Sequence, residues 1–179
     1  MFEMKRLKPI EYKIVAELIK NSKISDRKLA KKLGVSQPTI TRRRASLEQQ
    51  GLISYTVVPN FIKLGLEVMC FMFVAWRPEI RAQERESEEF AKKALTFVKE
   101  NSNVVFVSTG QGLNKDGVAI SFHESFAAYV KFRRDFEIEW GKFMSSMESF
   151  LISLNTDNIL KEPSPQYLSK YFEKLASIK

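Results

Sequence analysis

The sequence predicts an α+β protein with two parts and a helical extension. Residues 1–65 contain three short helical patterns, two of which flank a glycine turn. Residues 66–157 alternate apolar runs of strand length with charged stretches of helical periodicity, in the order βαββαβ. Residues 158–179 contain one further amphipathic helix after a Pro-Ser-Pro break. With 179 residues and 44% hydrophobic content, the chain is long enough to form two small cores.

The first part is predicted to be helix, helix, glycine turn, helix. A second helix should begin after Ser25, whose hydroxyl can accept an unpaired backbone N–H, and end at Gly34. Ser36 can cap the third helix, and Pro38 falls in its first turn, where a missing N–H costs little. This arrangement is typical of an element that reads DNA. The first helix is predicted from apolar residues at helical spacing, which are Ile10, Ile14, Val15, Leu18 and Ile19.

The third helix is predicted to have a packing face and a reading face. At about 100° per residue, Ile40 and Leu47 fall on one side. Arg42 falls near the centre of the other side, where an arginine can donate two hydrogen bonds to guanine or lie idle in solvent. Arg43 has two alternative roles, a contact with a DNA phosphate or an ion pair with a carboxylate of the same chain. The predicted DNA-binding residues are Ser25, Gln37, Thr39, Thr41, Arg42, Arg43 and Ser46.

Arg44 departs from the pattern, because it lies between Ile40 and Leu47 on the packing side. Its stem is expected to follow the core while the guanidinium turns to an edge, toward Glu48 at i+4. Residues 52–58, LISYTVV, are rich in β-forming side chains and are predicted to form a β wing.

Positive charge is concentrated in the first part of the chain. Residues 1–65 contain 14 basic and 5 acidic residues, a net charge of +9, whereas the rest contains 15 basic and 16 acidic residues, a net charge of −1. A localised excess is expected of a module that displaces counterions from phosphates. Double-stranded DNA is therefore the predicted partner, with binding that weakens steeply as the salt concentration rises.

Residues 7–65 resemble the N-terminal winged helix-turn-helix of the Lrp/AsnC family of prokaryotic transcription regulators. The resemblance lies in three motifs, ISDRKLAKKLGVS, TITRRRASLEQQGLI and PNFIKLGL. It implies a DNA-binding regulator that forms a homodimer or a higher oligomer. It also implies a second domain with a ferredoxin-like fold, which in this family often binds an amino acid or another small effector. The family usually has an aliphatic residue at the position of Arg44.

The residues of the second part independently give the order βαββαβ. Residues 68–76, VMCFMFVAW, form an apolar run that is too short to cross a membrane and suits a buried strand. The elements predicted from periodicity are strands at 68–76, 104–107, 118–122 and 149–154, a helix within 84–100, and a helix capped by Ser125.

The long loop 110–117, GQGLNKDG, is the candidate ligand site. In the Lrp/AsnC family the corresponding turn has a glycine followed closely by an acidic residue and helps to form the effector pocket between subunits. The candidate effector-binding residues are therefore Gly110, Gly112 and Asp116, with Gly110 and Asp116 further apart than in that pattern. The alternative is a hairpin loop whose glycines only permit positive φ.

The C-terminal extension goes beyond the usual plan of the family. Its apolar stripe is predicted to pack on its own domain or on another subunit, because the polar face lacks the Lys/Arg excess of a membrane-surface helix. The stripe has two neighbouring edges, Tyr167, Tyr171 and Leu175 on one and Leu168 and Phe172 on the other.

The sequence does not favour an enzyme. Cys70 lies inside the most apolar strand, and His123 has no Ser/His/Asp order or metal-ligand spacing around it. No cofactor, metal or membrane partner is expected, and the single cysteine and lack of a signal peptide favour a cytoplasmic protein. Two hypotheses follow: a sequence-specific transcriptional regulator with a small-molecule effector, or a weakly specific architectural protein that coats or bends DNA without an effector.

Overall fold

In the computed structural model the chain folds into two compact units. One consists of Met1–Val58 and Lys161–Lys179, and the other of Pro59–Leu160. The residues that the structure describes are 7–83, 88–157, 159–161 and 164–178. The elements in chain order are α1 (Pro9–Lys20), α2 (Asp26–Leu33), α3 (Gln37–Gln49), β1 (Val68–Trp76), α4 (Pro78–Gln83), α5 (Glu88–Glu100), β2 (Val104–Gly112), β3 (Lys115–His123), α6 (Phe126–Trp140), β4 (Met144–Ser153) and α7 (Ser169–Ser177).

The first unit is built on α1, α2 and α3. The predicted caps are present, because the hydroxyls of Ser25 and Ser36 accept the backbone N–H groups of Lys28 and Thr39, each at 3.4 Å. Pro9 begins α1 at a position where its missing N–H costs nothing. The predicted packing side of the third helix is also confirmed, since the fully buried side chains of this core are Ile14, Leu29, Ile40 and Leu47.

The first unit gains a further helix from the end of the chain. A 3-10 turn, Pro165–Leu168, leads into α7, which packs along α1. The rings of Tyr12 and Phe172 stack at 6.4 Å, and Lys20 pairs with Glu173. Of the predicted apolar stripe, Phe172 and Leu175 are half-buried, whereas Tyr167, Tyr171 and Leu168 are exposed. The buried residues of α7 are the small Ser169 and Ala176.

The predicted β wing does not form a strand. Residues 53–60 are irregular, and in this part of the chain they have no ladder partner. The backbone N–H and C=O groups of a strand without a neighbour can bond only to water, so β-forming side chains alone do not produce a strand.

The second unit is a four-stranded antiparallel sheet in the order β2-β3-β1-β4, over the residues described. With α5 and α6 as crossovers, the predicted βαββαβ order and ferredoxin-like fold are confirmed. One face of β1 packs on these two helices and forms the core. Its buried members are Cys70, Met72, Val74, Phe97, Ala119, Tyr129, Phe136, Trp140 and Met144.

The long loop predicted at 110–117 is a tight hairpin. β2 continues to Gly112 and β3 begins at Lys115, which leaves Leu113 and Asn114 as the turn. Both turn residues have positive φ, 52° and 55°, the twist that a two-residue hairpin connection requires. The loop prediction is therefore wrong for these glycines: Gly110 and Gly112 extend an edge strand whose register is irregular near its end.

Candidate nucleic-acid interface

The geometry of the candidate interface is set by the turn between α2 and α3. Gly34 ends α2 in the left-handed region at φ 68°, where a side chain would be strained. The next amide, Val35 N–H, donates to the carbonyl of Ala30 at 3.1 Å and closes the turn. Pro38 then lies in the first turn of α3. These local features position α3 beside α2 as a helix-turn-helix.

The start and middle of α3 present a polar face to solvent. Gln37 and Arg42 are exposed, while Thr39 is half-buried and its hydroxyl lies 2.8 Å from that of Ser36. Within the described ranges, the Arg42 side chain makes no ion pair or hydrogen bond with the rest of the chain. Its guanidinium is therefore available to an external partner.

Other predicted contact residues on α3 have partners within the chain. The Thr41 hydroxyl donates to Asp26 Oδ2 at 2.7 Å. The Ser46 hydroxyl accepts from Gln50 Nε2 at 2.6 Å. Arg43 Nη1 donates to Glu11 Oε1 at 2.8 Å, which is the intramolecular pair considered for this residue. The bonds of Thr41 and Arg43 hold α3 to α2 and α1 and orient the face that carries Arg42, whereas the Ser46 bond lies at the end of α3 itself.

Arg44 joins α3 to two other segments by hydrogen bonds. Its Nη1 donates to the carbonyl of Ile24 at 3.1 Å and to Asp26 Oδ1 at 3.2 Å, ahead of and within α2. Its Nε donates to the Tyr55 hydroxyl at 2.7 Å and to Glu48 at 3.3 Å. Burial would lower the pKa of Arg44, but the bonds to Tyr55 and Asp26 outweigh burial and raise it. The guanidinium thus stays charged and multiply bonded.

Of these Arg44 contacts, the sequence predicts only the one with Glu48. The signal for the rest was the position itself: an arginine on the packing side must find acceptors near the core edge. Tyr55, which was assigned to the wing, turns back to this cluster and donates its own hydroxyl proton to Glu48 at 2.7 Å. Its pKa is raised by burial and by that carboxylate.

Acidic side chains of the first unit are used internally. Every Asp or Glu between residues 7 and 58 has an ion pair: Glu11 with Arg43, Glu17 with Lys20 and Lys32, and Asp26 and Glu48 with Arg44. Burial would raise the pKa of Glu17, but the bonds from both lysines outweigh it, so that pKa lies below its ordinary value. The positive charge left at the surface includes Lys23, Arg27, Lys28, Lys31 and Arg42.

The candidate effector residues lie in two different environments. Gly110 and Gly112 border a small hollow of about 170 Å³ on the sheet, next to Phe73 and Leu113. Asp116 is only 8% exposed, and its Oδ2 accepts the backbone N–H of Trp76 at 2.9 Å. Its carboxylate therefore supports the pairing between β1 and β3. The hairpin does not bring all three residues together around one hollow.

The residues weighed for catalysis are part of the second core. Burial raises the pKa of the Cys70 thiol and lowers the pKa of His123. His123 Nε2 lies 2.9 Å from the Ser121 hydroxyl, and its ring packs on Tyr129. No cluster of three or more metal-binding side chains occurs among the described residues. Nor does any helix in that part of the chain have the length and apolar character to span a membrane.

Comparison with known proteins agrees with this geometry. The winged helix-turn-helix DNA-binding family matches residues 7–54. The regulator LrpC of Bacillus subtilis is 40% identical over 68 residues, 37% of this chain and 47% of LrpC. LrpA of Pyrococcus horikoshii is 32% identical over 100 residues, 55% of this chain and 65% of LrpA. The chain spans about half the length of the curated relatives it matches.

Solved structures extend the likeness to the whole fold. AsnC of E. coli superposes with a TM-score of 0.67 at 19% identity, over 88% of this chain and 98% of AsnC. A Neisseria meningitidis transcriptional regulator in complex with L-Met gives a TM-score of 0.71 at 18% identity, over 89% and 96%. The fold and the α2–α3 geometry define a helix-turn-helix protein with a ferredoxin-like second unit. Its first unit is similar in sequence to LrpC- and LrpA-type regulators, and its fold is similar to that of AsnC.

Proposed function

We propose that this protein is a transcriptional regulator that binds a specific sequence in double-stranded DNA. The observation that carries the proposal is the exposed, unpaired Arg42 at the centre of a helix that the core holds rigidly from behind. An arginine in that position can donate to O6 and N7 of one guanine in the major groove. The relatives with matching sequence in this unit are transcriptional regulators by name.

The charges around α3 divide into two roles. Arg43 and Arg44 are held by carboxylates of the same chain, and they fix the helix. Arg27, Lys28 and Lys31 are exposed along α2, where they can neutralise phosphates without reading bases. Losing one such phosphate contact should weaken binding on all sequences and reduce the salt slope by about 1.

We further propose that the protein assembles through the open face of its sheet. Directly paired residues on neighbouring strands lie on the same face, and Phe106, Ile120, Phe71 and Phe150 form one such row. The end members are 49% and 64% exposed, so the row offers an apolar patch to a second copy. Dimeric helix-turn-helix proteins insert two recognition helices into successive major grooves, so a dimer would present two copies of α3 to one DNA site.

Selection of bound genomic fragments at about physiological salt tests the specific function. The full-length protein should recover one inverted motif, and Arg42→Ala should lose it, with a cost of about 1–3 kcal/mol at the guanine it reads. Arg133→Ala, an exposed arginine on α6, is the matched control and should recover the same motif. Diffuse recovery that ignores Arg42 would instead support an architectural protein.

Assembly and effector binding have separate tests. Phe150→Glu should reduce the sedimentation coefficient toward that of a monomer, whereas Ile138→Glu, an exposed residue on α6, should not. Because one structural relative holds L-Met, an amino acid is the first effector to test in DNA binding. An unchanged oligomer in Phe150→Glu would assign assembly to another surface.

A further inference from the structure

The side chain of Thr41, on the predicted reading face of α3, has its hydroxyl group engaged within the protein. The hydroxyl donates to Asp26 Oδ2 at 2.7 Å and lies 3.2 Å from the carbonyl of Gln37, one turn earlier in the helix. A hydroxyl has one proton and a carboxylate only accepts hydrogen bonds, so this proton is committed to Asp26. Thr41 nevertheless remains exposed.

Asp26 is itself held in place, and this fixes the orientation of Thr41. Asp26 begins α2, and its Oδ1 accepts from Arg44 Nη1 at 3.2 Å within an ion pair. The Cβ of threonine carries two branches in staggered positions, so fixing the hydroxyl branch also fixes the methyl branch. Because the hydroxyl is turned to Asp26, the methyl group is what Thr41 offers to a partner outside the chain.

A second methyl group lies next to that of Thr41. Ala45 is exposed and follows Thr41 by four residues, a spacing at which side chains are neighbours on a helix surface, with Cβ atoms about 5–6 Å apart. Arg42 precedes Ala45 by three residues and is also its neighbour. The exposed face of α3 therefore combines a guanidinium with a small apolar surface made of two methyl groups.

This combination of groups matches two particular bases. An arginine can donate to O6 and N7 of guanine, and thymine is the base that presents a methyl group in the major groove. Alanine and threonine recognise that methyl group by apolar contact. The Thr41 hydroxyl cannot donate to a base acceptor without leaving Asp26, so its methyl group is the better candidate for base contact.

We propose that Thr41 and Ala45 select a thymine close to the guanine contacted by Arg42, through apolar contact with the thymine methyl group. This inference rests on the proposed function and adds a second base to it. Because a helix rises 1.5 Å per residue, Thr41 and Ala45 are about 6 Å apart along α3, with Arg42 between them. Successive base pairs are about 3.4 Å apart, so the thymine should lie within about two base pairs of the guanine.

Replacement of thymine by deoxyuridine tests this contact, because it removes the methyl group and keeps the base pairing. The full-length protein is titrated with the motif from the genomic selection and with copies in which each thymine in turn is deoxyuridine. Burial of one methyl group is worth about fourfold in affinity. Wild type should therefore lose about fourfold per half-site at one thymine, within about two base pairs of the guanine identified with Arg42→Ala. The thymine/uracil affinity ratio of one variant cancels its changes in folding or phosphate binding.

Variants separate the methyl groups from the hydroxyl. Thr41→Ser keeps the bond to Asp26 and loses the methyl group, so the thymine/uracil ratio should fall below about twofold, and Ala45→Gly should lower it likewise. Thr41→Val loses the hydroxyl and keeps the methyl group, so overall affinity should fall while the ratio stays at about fourfold. Thr96→Ser is the matched control and should change neither value, because Thr96 is an exposed threonine of α5 whose hydroxyl also bonds to the carbonyl four residues earlier.

Three results would overturn the proposal. The first is a thymine/uracil ratio below about 1.5-fold at every thymine of the motif. The second is a ratio that survives Thr41→Ser or Ala45→Gly, and the third is a ratio lost in Thr41→Val, which would make the hydroxyl the reading group. A motif that Arg42→Ala loses, but that tolerates uracil throughout, would refute this inference alone. Recovery of no motif would refute the proposed function and this inference with it.

Discussion

Replacing Arg44 with alanine is expected to destabilise the DNA-binding unit by about 3 kcal/mol. The change removes charge-assisted bonds to Asp26 and Tyr55 and a bond to the Ile24 carbonyl. Hydrogen bonds to charged groups contribute about 1.5–3 kcal/mol each and neutral ones about 0.5–1.5. The Arg44 and Asp26 side chains are 21% and 22% exposed, so water can repair part of the loss. The total therefore falls below the simple sum.

The assay must report on the first unit alone. Both tryptophans lie in the second unit, so tryptophan fluorescence does not follow α1, α2 or α3. Hydrogen exchange of the amides of α2 and α3 does, and protection there should fall by about two orders of magnitude, as about 3 kcal/mol implies. DNA affinity should fall as well, because α3 loses the Arg44 bonds that fix it to α2 and Tyr55.

Two further variants make the reasoning testable. Arg44→Lys keeps the charge but cannot reach several acceptors at once, so it should recover less than half of the lost stability. Tyr55→Phe removes one bond to Arg44 and one to Glu48 and should cost about 1 kcal/mol. If Arg44→Ala changed protection of α2 and α3 by less than about threefold, the network would contribute little and the account would be wrong.

Further predictions concern α7, two titratable groups and the cysteine. Phe172→Ala should cost the first unit about 2 kcal/mol in hydrogen exchange of α1, whereas Tyr171→Ala, 57% exposed in the native protein, should cost less than about 0.5. Burial lowers the pKa of His123 below its ordinary value of 6.5, so the folded state binds fewer protons than the unfolded state. The stability of the second unit should therefore fall as pH drops below 6.5 and level off below the folded pKa. This pH dependence should be absent in His123→Gln. The pKa of Glu17 is lowered, so its contribution to the stability of the first unit should be complete above pH 4.5 and be lost as pH falls through the lower folded pKa. Acid titration of hydrogen-exchange protection of α1, in the wild type and in Glu17→Gln, would measure this loss. The Cys70 thiol should resist alkylation until the second unit unfolds.

Local sequence signals predicted most of the fold. Ser25, Ser36 and Ser125 act as caps because capping depends on a hydroxyl and the three residues that follow it. The burial of Ile40 and Leu47 could be predicted because helical spacing alone places them on one side of α3. The βαββαβ order followed from periodicity, which needs no knowledge of the final packing.

The features that the sequence could not predict depend on distant partners. Residues 52–58 have β-forming side chains, yet a strand needs a neighbour and none is present in the described chain. Asp116 looked like a loop residue, whereas its carboxylate accepts an N–H 40 positions away in the sequence. Hydrophobicity correctly placed Phe172 in the apolar stripe that contacts α1, but it did not predict that Tyr171 on the neighbouring edge would stay exposed. Each of these outcomes depends on long-range contacts that a local pattern does not contain.

Arg42, Arg43 and Arg44 are adjacent in sequence, and the structure gives them different partners. Arg43 and Arg44 hold carboxylates of α1 and α2, so their charges are compensated and contribute little to the external field. Arg42 makes no such pair within the described residues. A side chain discriminates between bases only if its backbone is fixed, because a mobile helix would let it satisfy a wrong base equally well. Mutations of these neighbouring arginines should therefore have different effects. Arg42→Ala should remove the preference for a base and leave the stability of the first unit unchanged. Arg44→Ala should lower that stability and weaken binding to every DNA sequence.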